Sequence, residues 1–443
     1  MKVDEKIAVV GLGYVGLTFG TVLAEAGFQI VGVEKRSEVV ELTNDGKPHF
    51  SETGLEDALR RVVRSGSLKA VPQFDPDDQC SCYVITVGTP LGEDGQIRLD
   101  MIEAASRQVA ENMPDGALVI LRSTVKIGTA RNVVAPVLKS SGKRFDIAMC
   151  PERTLEGKAL QELRHLPQIV GADDQTVLDR ASAIFRRLTN SIVQVSSLEA
   201  AEIIKLVDNT YRDVQFAFAN EVARLCEAFD VNAHEVIESG KLGYERTNVP
   251  LPGLVGGPCL EKDPHILVQS ANGVGMDLIM TRAGRKINEN QPGETMEFIV
   301  SQMAQRKMAA GVRVALLGMA FKGVPETDDL RGSMSLRVLQ ALRRMRPDAD
   351  VWAFDPVIDA ELLSTRFDDV SCATQLEEAV QGASVVIIAN NHPALAEHPP
   401  AALCEMMAER GFIYDYWNHF SNLSAAELGD SYFAVGNTRG GRR

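Results

Sequence analysis

Cysteine and tryptophan are scarce, with seven and two among 443 residues. Thiols that are sparse and odd in number exclude a disulfide scaffold and fit a reducing compartment. A cytoplasmic protein is expected. Cys80 and Cys82 stand too close together in a strand-like run to form a metal knuckle, and no metal is expected. No apolar run reaches the roughly 18 residues a bilayer requires, so neither a transmembrane helix nor a membrane partner is expected. Met1-Lys2-Val3-Asp4-Glu5-Lys6 leads straight into a strand-like run and does not read as an export signal. Positive charge is in deficit: the formal net charge is −14. That argues against nucleic acid as a partner and leaves room for a local anion site. Internal repeats and low-complexity blocks are missing, and the tail Thr438–Arg443 reads as disordered.

The first third alternates strands with helices. Ile7-Ala8-Val9-Val10 precedes Gly11-Leu12-Gly13-Tyr14-Val15-Gly16, an apolar helical pattern follows, and Gln29–Val33 is a second strand ending at Glu34. Glycines at this spacing let backbone approach a pyrophosphate at a helix N-terminus, and an acid after the second strand binds ribose hydroxyls. Gly11, Gly13, Gly16 and Glu34 therefore predict a dinucleotide site. Glu34 favours NAD, because a carboxylate repels a 2′-phosphate; Lys35 and Arg36 keep NADP open. Later strands end in Gly88-Thr89-Pro90, Arg122-Ser123-Thr124 and Cys150-Pro151-Glu152-Arg153. In a doubly wound parallel sheet these ends line one ligand-binding edge. Thr89 and Thr124 read equally well as helix caps.

In the middle, Leu198 to Phe229 reads as one helix that is apolar on more than one face, which suggests burial or dimerisation. Lys205, Asn209 and Arg212 share a stripe. Buried polar groups there need partners; a ligand is one, and a solvated seam with a snorkelling lysine is the other reading. Ser239 to Asp263 reads as a long loop carrying Arg246 and then Gly256-Gly257-Pro258-Cys259-Leu260-Glu261-Lys262-Asp263. Glycines, a thiol and a cation within a few residues can make a covalent-catalysis loop or a tight turn around an inert thiol. A hinge is expected at Arg285–Asn290 with Pro292-Gly293.

The last third is a second α/β unit, with strands ending near Gly318, Asp355, Ala389 and Asp415 and no glycine-rich dinucleotide turn. Lys322 and Arg331 are candidate anion ligands, and an Arg331 salt bridge to Asp328 or Asp329 is the alternative. The expectation is two doubly wound parallel-sheet (Rossmann-like) domains joined by a central helical domain, over residues 1–197, 198–300 and 301–443.

Taken in order, these motifs resemble the UDP-sugar dehydrogenases, the NAD-dependent four-electron group that includes UDP-glucose 6-dehydrogenase. The resemblance covers nearly the whole chain. It is carried by the Gly11–Gly16 turn, Gly88-Thr89-Pro90, Ser123-Thr124-Val125, Pro151-Glu152-Arg153, Lys205 with Asn209 and Thr210-Tyr211-Arg212-Asp213, Gly256-Gly257-Pro258-Cys259 with Lys262-Asp263, Phe321-Lys322 and Asp329-Leu330-Arg331. Cys150–Thr154, Asn209–Asp213 and Ala217–Glu221 are more similar to the N-acetylmannosamine and N-acetylglucosamine branch. Glu261 departs from the pattern, standing where Pro or a small residue is usual. So does the stretch between Lys322 and Arg331, about two residues longer than common, and so does Ser333-Met334 in place of Ser-Pro.

The resemblance implies an NAD domain, a helical dimerising middle and a UDP-binding domain. It implies C6 oxidation of a UDP-N-acetylhexosamine to the uronate through a thiohemiacetal and a thioester on Cys259. Lys205 and Asn209 would stabilise oxygen charge, Asp263 and Thr124 would position water or assist proton transfer, and Glu152 would help hydrolysis as a base. Tyr14, Val15, Glu34, Thr89 and Thr124 would contact NAD. Arg153, Thr154, Arg212, Arg246, Gly256, Lys322 and Arg331 would line the UDP-sugar or complete the cofactor site. UDP-glucose 6-dehydrogenase, a two-electron alcohol dehydrogenase and a nucleotide-sugar-binding protein without turnover are the alternatives.

Overall fold

The computed structural model describes residues 5–75 and 78–438. Most of the opening stretch, Met1 to Asp4, and the tail beyond Thr438 lie outside the described residues. Thr438 itself is buried. The chain divides into two compact units, residues 1–208 with 265–277 and residues 209–264 with 278–443. The helical residues expected at 198–300 are shared between them.

The first unit is built on an eight-stranded sheet: β1 (Lys6–Val10), β2 (Gln29–Val33), β3 (Leu68–Val71), β4 (Cys82–Ile85), β5 (Ala117–Leu121), β6 (Phe145–Met149), β7 (Gln168–Gly171) and β8 (Ile192–Val195). Their order is β3-β2-β1-β4-β5-β6-β7-β8. Continuous apolar runs such as Ala117-Leu118-Val119-Ile120-Leu121 are buried on both faces, as a helix-covered parallel sheet requires. The doubly wound parallel sheet that was expected is present, with one antiparallel joint where β7 meets β6 through Met149 opposite Gly171. An antiparallel extension on a parallel sheet is a common edge solution, and four-residue strands carry no pattern that reveals it.

Register makes this sheet a scaffold for a site. Val33 pairs with Val10, Val10 with Ile85, Ile85 with Leu121, and Leu121 with Met149. Five strands end level, so Glu34, Gly11, Thr86, Arg122 and Cys150 stand in one row along the C-terminal edge.

The second unit holds six parallel strands: β9 (Arg313–Leu317), β10 (Asp350–Phe354), β11 (Ser371–Cys372), β12 (Val385–Ile388), β13 (Phe412–Asp415) and β14 (Tyr432–Ala434). Their order is β11-β10-β9-β12-β13-β14. The row there is Phe354, Leu317, Ile388, Asp415 and Ala434.

The long helix runs Leu198–Ala228. The loop expected over Ser239–Asp263 is shorter: one helix continues to Lys241, and Gly257–Leu260 makes a helical turn around Cys259. The expected hinge is absent. Residues Ile279–Gln305 form one helix with Pro292 inside it. Proline there costs about 3 kcal/mol in lost hydrogen bonding and clash. Burial of Arg285, Asn288, Gln291, Met296, Phe298 and Ile299 along the helix outweighs it.

Candidate active site

The glycines of the first turn divide their work. Gly11 has φ +93°, a left-handed conformation that favours glycine, and Thr86 Oγ1 donates to its carbonyl at 2.7 Å. A Cβ on Gly16 would stand 1.8 Å from the Gly11 oxygen, so this glycine seats the helix Tyr14–Glu25 against the strand. A Cβ on Gly13 would meet nothing within 4 Å. The open cradle lies at the N-terminus of a twelve-residue helix, where backbone N–H groups favour an anion. Glu34 is buried and accepts from Leu12 N at 3.0 Å and Arg36 N at 3.1 Å. Burial pushes its carboxyl up, but hydrogen bonds and charge from Arg36, with the Leu12 amide, outweigh this and hold it below the usual carboxylate range. An ionised acid beside an open glycine cradle fits NAD, whose pyrophosphate would be held at Gly13, Tyr14 and Val15 and whose ribose hydroxyls would be held by Glu34. The Tyr14 hydroxyl is engaged elsewhere, donating to Glu52, whose carboxylate also accepts from Gly157 N at 2.6 Å and Ala159 N at 2.9 Å.

Thr89 is buried, and its hydroxyl donates to the Thr124 carbonyl, tying the β4 and β5 loops together. Glu152 is filled. Arg122 donates to its Oε2 through Nε at 3.1 Å and Nη2 at 2.6 Å, while Arg153 N and Thr154 N donate to Oε1 at 2.7 and 2.8 Å. Burial pushes this carboxyl up; the Arg122 charge and hydrogen bonds, the Thr154 amide and the Lys205 charge pull it below the usual range. Four bonds saturate its lone pairs, so Glu152 is held ionised as a fixed anion. Arg153 pairs with Asp208 at 3.0 Å, and Thr154 is half-buried. Lys205 is 7% exposed and makes no hydrogen bond or ion pair among the described residues.

In the second unit, Asn209 Nδ2 donates to Asp263 Oδ2 at 2.6 Å and Lys262 Nζ pairs with Oδ1 at 2.7 Å, with Asp263 fully buried. Cys259 is exposed. Gly256 and Gly257 meet chain, not open space: a Cβ on Gly256 would stand 2.3 Å from the Gly332 oxygen, and one on Gly257, at φ +88°, 2.4 Å from the Phe321 ring. The close approach expected of a ligand at Gly256 is made by the protein itself. Arg212 is exposed, away from the burial of Lys205 and Asn209. Arg246 stacks on Tyr244 at 4.6 Å and, with Tyr211, Phe218, Pro250 and Met280, lines a cavity of about 390 Å³. Lys322 Nζ lies 5.2 Å from the Phe321 ring centroid. Arg331 forms the salt bridge that was its alternative, to Asp329 at 2.6 Å.

Three groups escaped the sequence reading. Arg122, fully buried with its guanidinium 4.3 Å from the Phe19 ring centroid, is the counter-charge of Glu152; an arginine directly after an all-apolar strand was the available signal. Glu52 carried none. Asp213 and Arg285, paired at 2.6 Å in the core, lie far apart in sequence. Among the described residues, no cluster of three His, Cys, Asp or Glu is arranged to hold a metal ion, and no helix is long and apolar enough to cross a membrane.

Comparison with known proteins agrees with this layout. The UDP-glucose/GDP-mannose dehydrogenase family matches in three parts: its NAD binding domain over residues 5–189, its central domain over 199–290 and its UDP binding domain over 315–422. A UDP-N-acetyl-D-mannosamine dehydrogenase of Pyrococcus horikoshii is 33% identical over 395 residues, covering 88% of this chain and 90% of that protein. A UDP-glucose 6-dehydrogenase of Haloferax volcanii is 31% identical, covering 87% and 91%. The solved structure of a UDP-N-acetylmannosamine dehydrogenase from Pyrococcus horikoshii superposes with a TM-score of 0.87 at 31% identity, over 98% of this chain and 100% of that one. The chain belongs to the UDP-glucose/GDP-mannose dehydrogenase family and is an NAD-dependent oxidoreductase.

Proposed function

We propose that the protein oxidises the C6 hydroxymethyl of a UDP-N-acetylhexosamine, N-acetylmannosamine or N-acetylglucosamine, to the uronate, with Cys259 as covalent nucleophile. NAD, when bound, accepts the hydride in each of the two oxidations. The Cys259 thiolate adds to the aldehyde carbon to give a thiohemiacetal, whose oxidation leaves a thioester. Water hydrolyses the thioester, releasing carboxylate and restoring the thiol. One observation carries this reading. Burial pushes six of the seven thiols up, at Cys80, Cys82, Cys150, Cys226, Cys372 and Cys404, while Cys259 is the exposed one.

Lys205 stabilises oxygen charge at C6, since a buried ammonium without a hydrogen-bond partner calls for an anionic one. Asn209 assists it, held by Asp263. Thr124 positions water. Glu152 is a fixed charge near Lys205 in this scheme, and its four bonds argue against the base role expected of it. Arg153, Thr154, Arg212, Arg246 and Lys322 remain the residues proposed to contact the UDP-sugar.

The N-acetyl branch is favoured by the Pyrococcus relative and by Cys150–Thr154; UDP-glucose is the second reading, favoured by the Haloferax relative. Sparse cysteines support a cytoplasmic setting. A homodimer is supported by Tyr211, Phe218 and Leu225, exposed along one stripe of the long helix. A UDP-sugar panel tests the assignment. Two NADH per UDP-N-acetylhexosamine is expected. Turnover of UDP-glucose alone would move the substrate, and one NADH per sugar would remove the four-electron scheme.

A further inference from the structure

We propose that Arg285 is a positioning residue that holds the Cys259 turn in register, an inference that rests on the reading of Cys259 as the nucleophile. Arg285 is 3% exposed. Its Nη1 donates to the Leu260 carbonyl at 2.8 Å and its Nη2 to the Val255 carbonyl at 3.1 Å, so one guanidinium grips the chain on both sides of the thiol. The planar fork can hold two carbonyls at once in a way a lysine cannot. Asp213, fully buried on the long helix, neutralises it at 2.6 Å. Asn288, one helical turn from Arg285, donates to Asp213 Oδ1 at 2.9 Å and to its carbonyl at 3.0 Å.

The brace extends to the start of the loop. Asn220 accepts from Gly253 N at 3.0 Å and donates to Gly253 O at 3.1 Å, copying a backbone pair, and its Nδ2 also reaches Asn288 and Gln291. A buried polar network of this size rigidifies what it touches when its members are partnered. Here it touches residues 253, 255 and 260, and none of its side chains belongs to the Cys259 turn. The turn is also tied to the chain that follows: Gly257 N donates to Gly332 O at 2.7 Å, and Glu261 reaches Arg337 at 3.2 Å. A thiol that must meet an aldehyde carbon within bonding reach tolerates little displacement, and about 1 Å costs on the order of a hundredfold in rate.

The test uses the full-length protein with NAD and UDP-N-acetylmannosamine, comparing Arg285→Lys, Asn288→Ala and Cys259→Ala. Arg285→Lys keeps the charge opposite Asp213 and loses one carbonyl. Its kcat is expected to fall about a hundredfold with both KM values within about threefold, and NADH per sugar to drop from two toward one as aldehyde escapes to a hydroxylamine trap. Asn288→Ala, which leaves both charges in place, is expected to lower kcat about tenfold and to move NADH per sugar in the same direction, from two toward one, and decides the matter if Arg285→Lys does not fold. Wild-type kcat and two NADH per sugar in the folded variants would overturn the proposal. So would a loss that only tracks the unfolded fraction. Uronate formation by Cys259→Ala would instead remove the nucleophile reading itself, whatever Arg285 does.

Discussion

Arg122 and Glu152 form a buried ion pair where β5 and β6 end, with Nη2 and Oε2 2.6 Å apart and the guanidinium enclosed by the rings of Phe19 and Phe185. The pair joins two neighbouring strand ends and keeps the 152–154 backbone folded onto the carboxylate. Glu152→Gln leaves the arginine without its counter-charge in the core. Breaking one side of such a pair costs about 3 kcal/mol or more, and urea denaturation of the variant should show that loss. The folded carboxyl sits below its ordinary range, so its contribution is present above the unfolded value near about 4.3 and fades as pH falls through the folded one. Wild type should therefore lose more stability than Glu152→Gln on acidification below about pH 4.

The two glycines of the NAD turn should separate folding from binding. Gly13 has φ −66° and open space around it, so Gly13→Ala should leave the melting temperature nearly unchanged while filling the cradle and raising KM for NAD about tenfold or more. Gly16→Ala drives a methyl into the Gly11 carbonyl and should cost about 1–3 kcal/mol or prevent folding. Calorimetry with NAD titration distinguishes them; equal loss of stability in both would contradict the assignment.

Glu202 gives a second pH signature. Burial, with the Glu199 charge, pushes its carboxyl up to about 7 against the Gly128 and Ala130 amides that donate to it. The folded value lies above the unfolded one, so the associated stability is complete below about pH 4.3 and is lost as pH rises through 7. Glu202→Gln should flatten wild type's decline over that window in a denaturation series. An unchanged slope would show that Glu202 is already ionised at neutral pH.

The exposed stripe of the long helix predicts oligomeric state. Phe218 is 53% and Leu225 58% exposed, one heptad apart. Phe218→Asp with Leu225→Asp should convert a dimer to a monomer in sedimentation velocity, with the secondary structure retained. A wild-type monomer at micromolar concentration would remove the dimer from the account.

The readable parts of the chain were those where local pattern and function coincide. The turn Gly11–Gly16 between two apolar strands declared itself because helix start, glycine geometry and the acid at Glu34 all lie within one βαβ unit. Cys259 and its Lys262-Asp263 neighbours were legible as a motif because they lie within five residues of one another. Arg285 was misread with Pro292-Gly293 as part of a hinge, because the forces that keep that helix continuous come from Asp213, Asn220 and the loop at Val255, none of them local. Arg331 shows both of its readings on spacing alone, and the coordinates add a pairing with Asp329. Arg122 and Glu52 act through partners far away in sequence, where no spacing rule reaches.

In the proposed mechanism the sulfur of Cys259 carries the sugar between its two oxidations. The most direct measurement is uronate formed by Cys259→Ala from UDP-N-acetylmannosamine and NAD, with UDP-sugar binding followed by calorimetry in the same preparation. The account predicts intact binding and no uronate. Uronate at the wild-type rate, with two NADH per sugar, would contradict it.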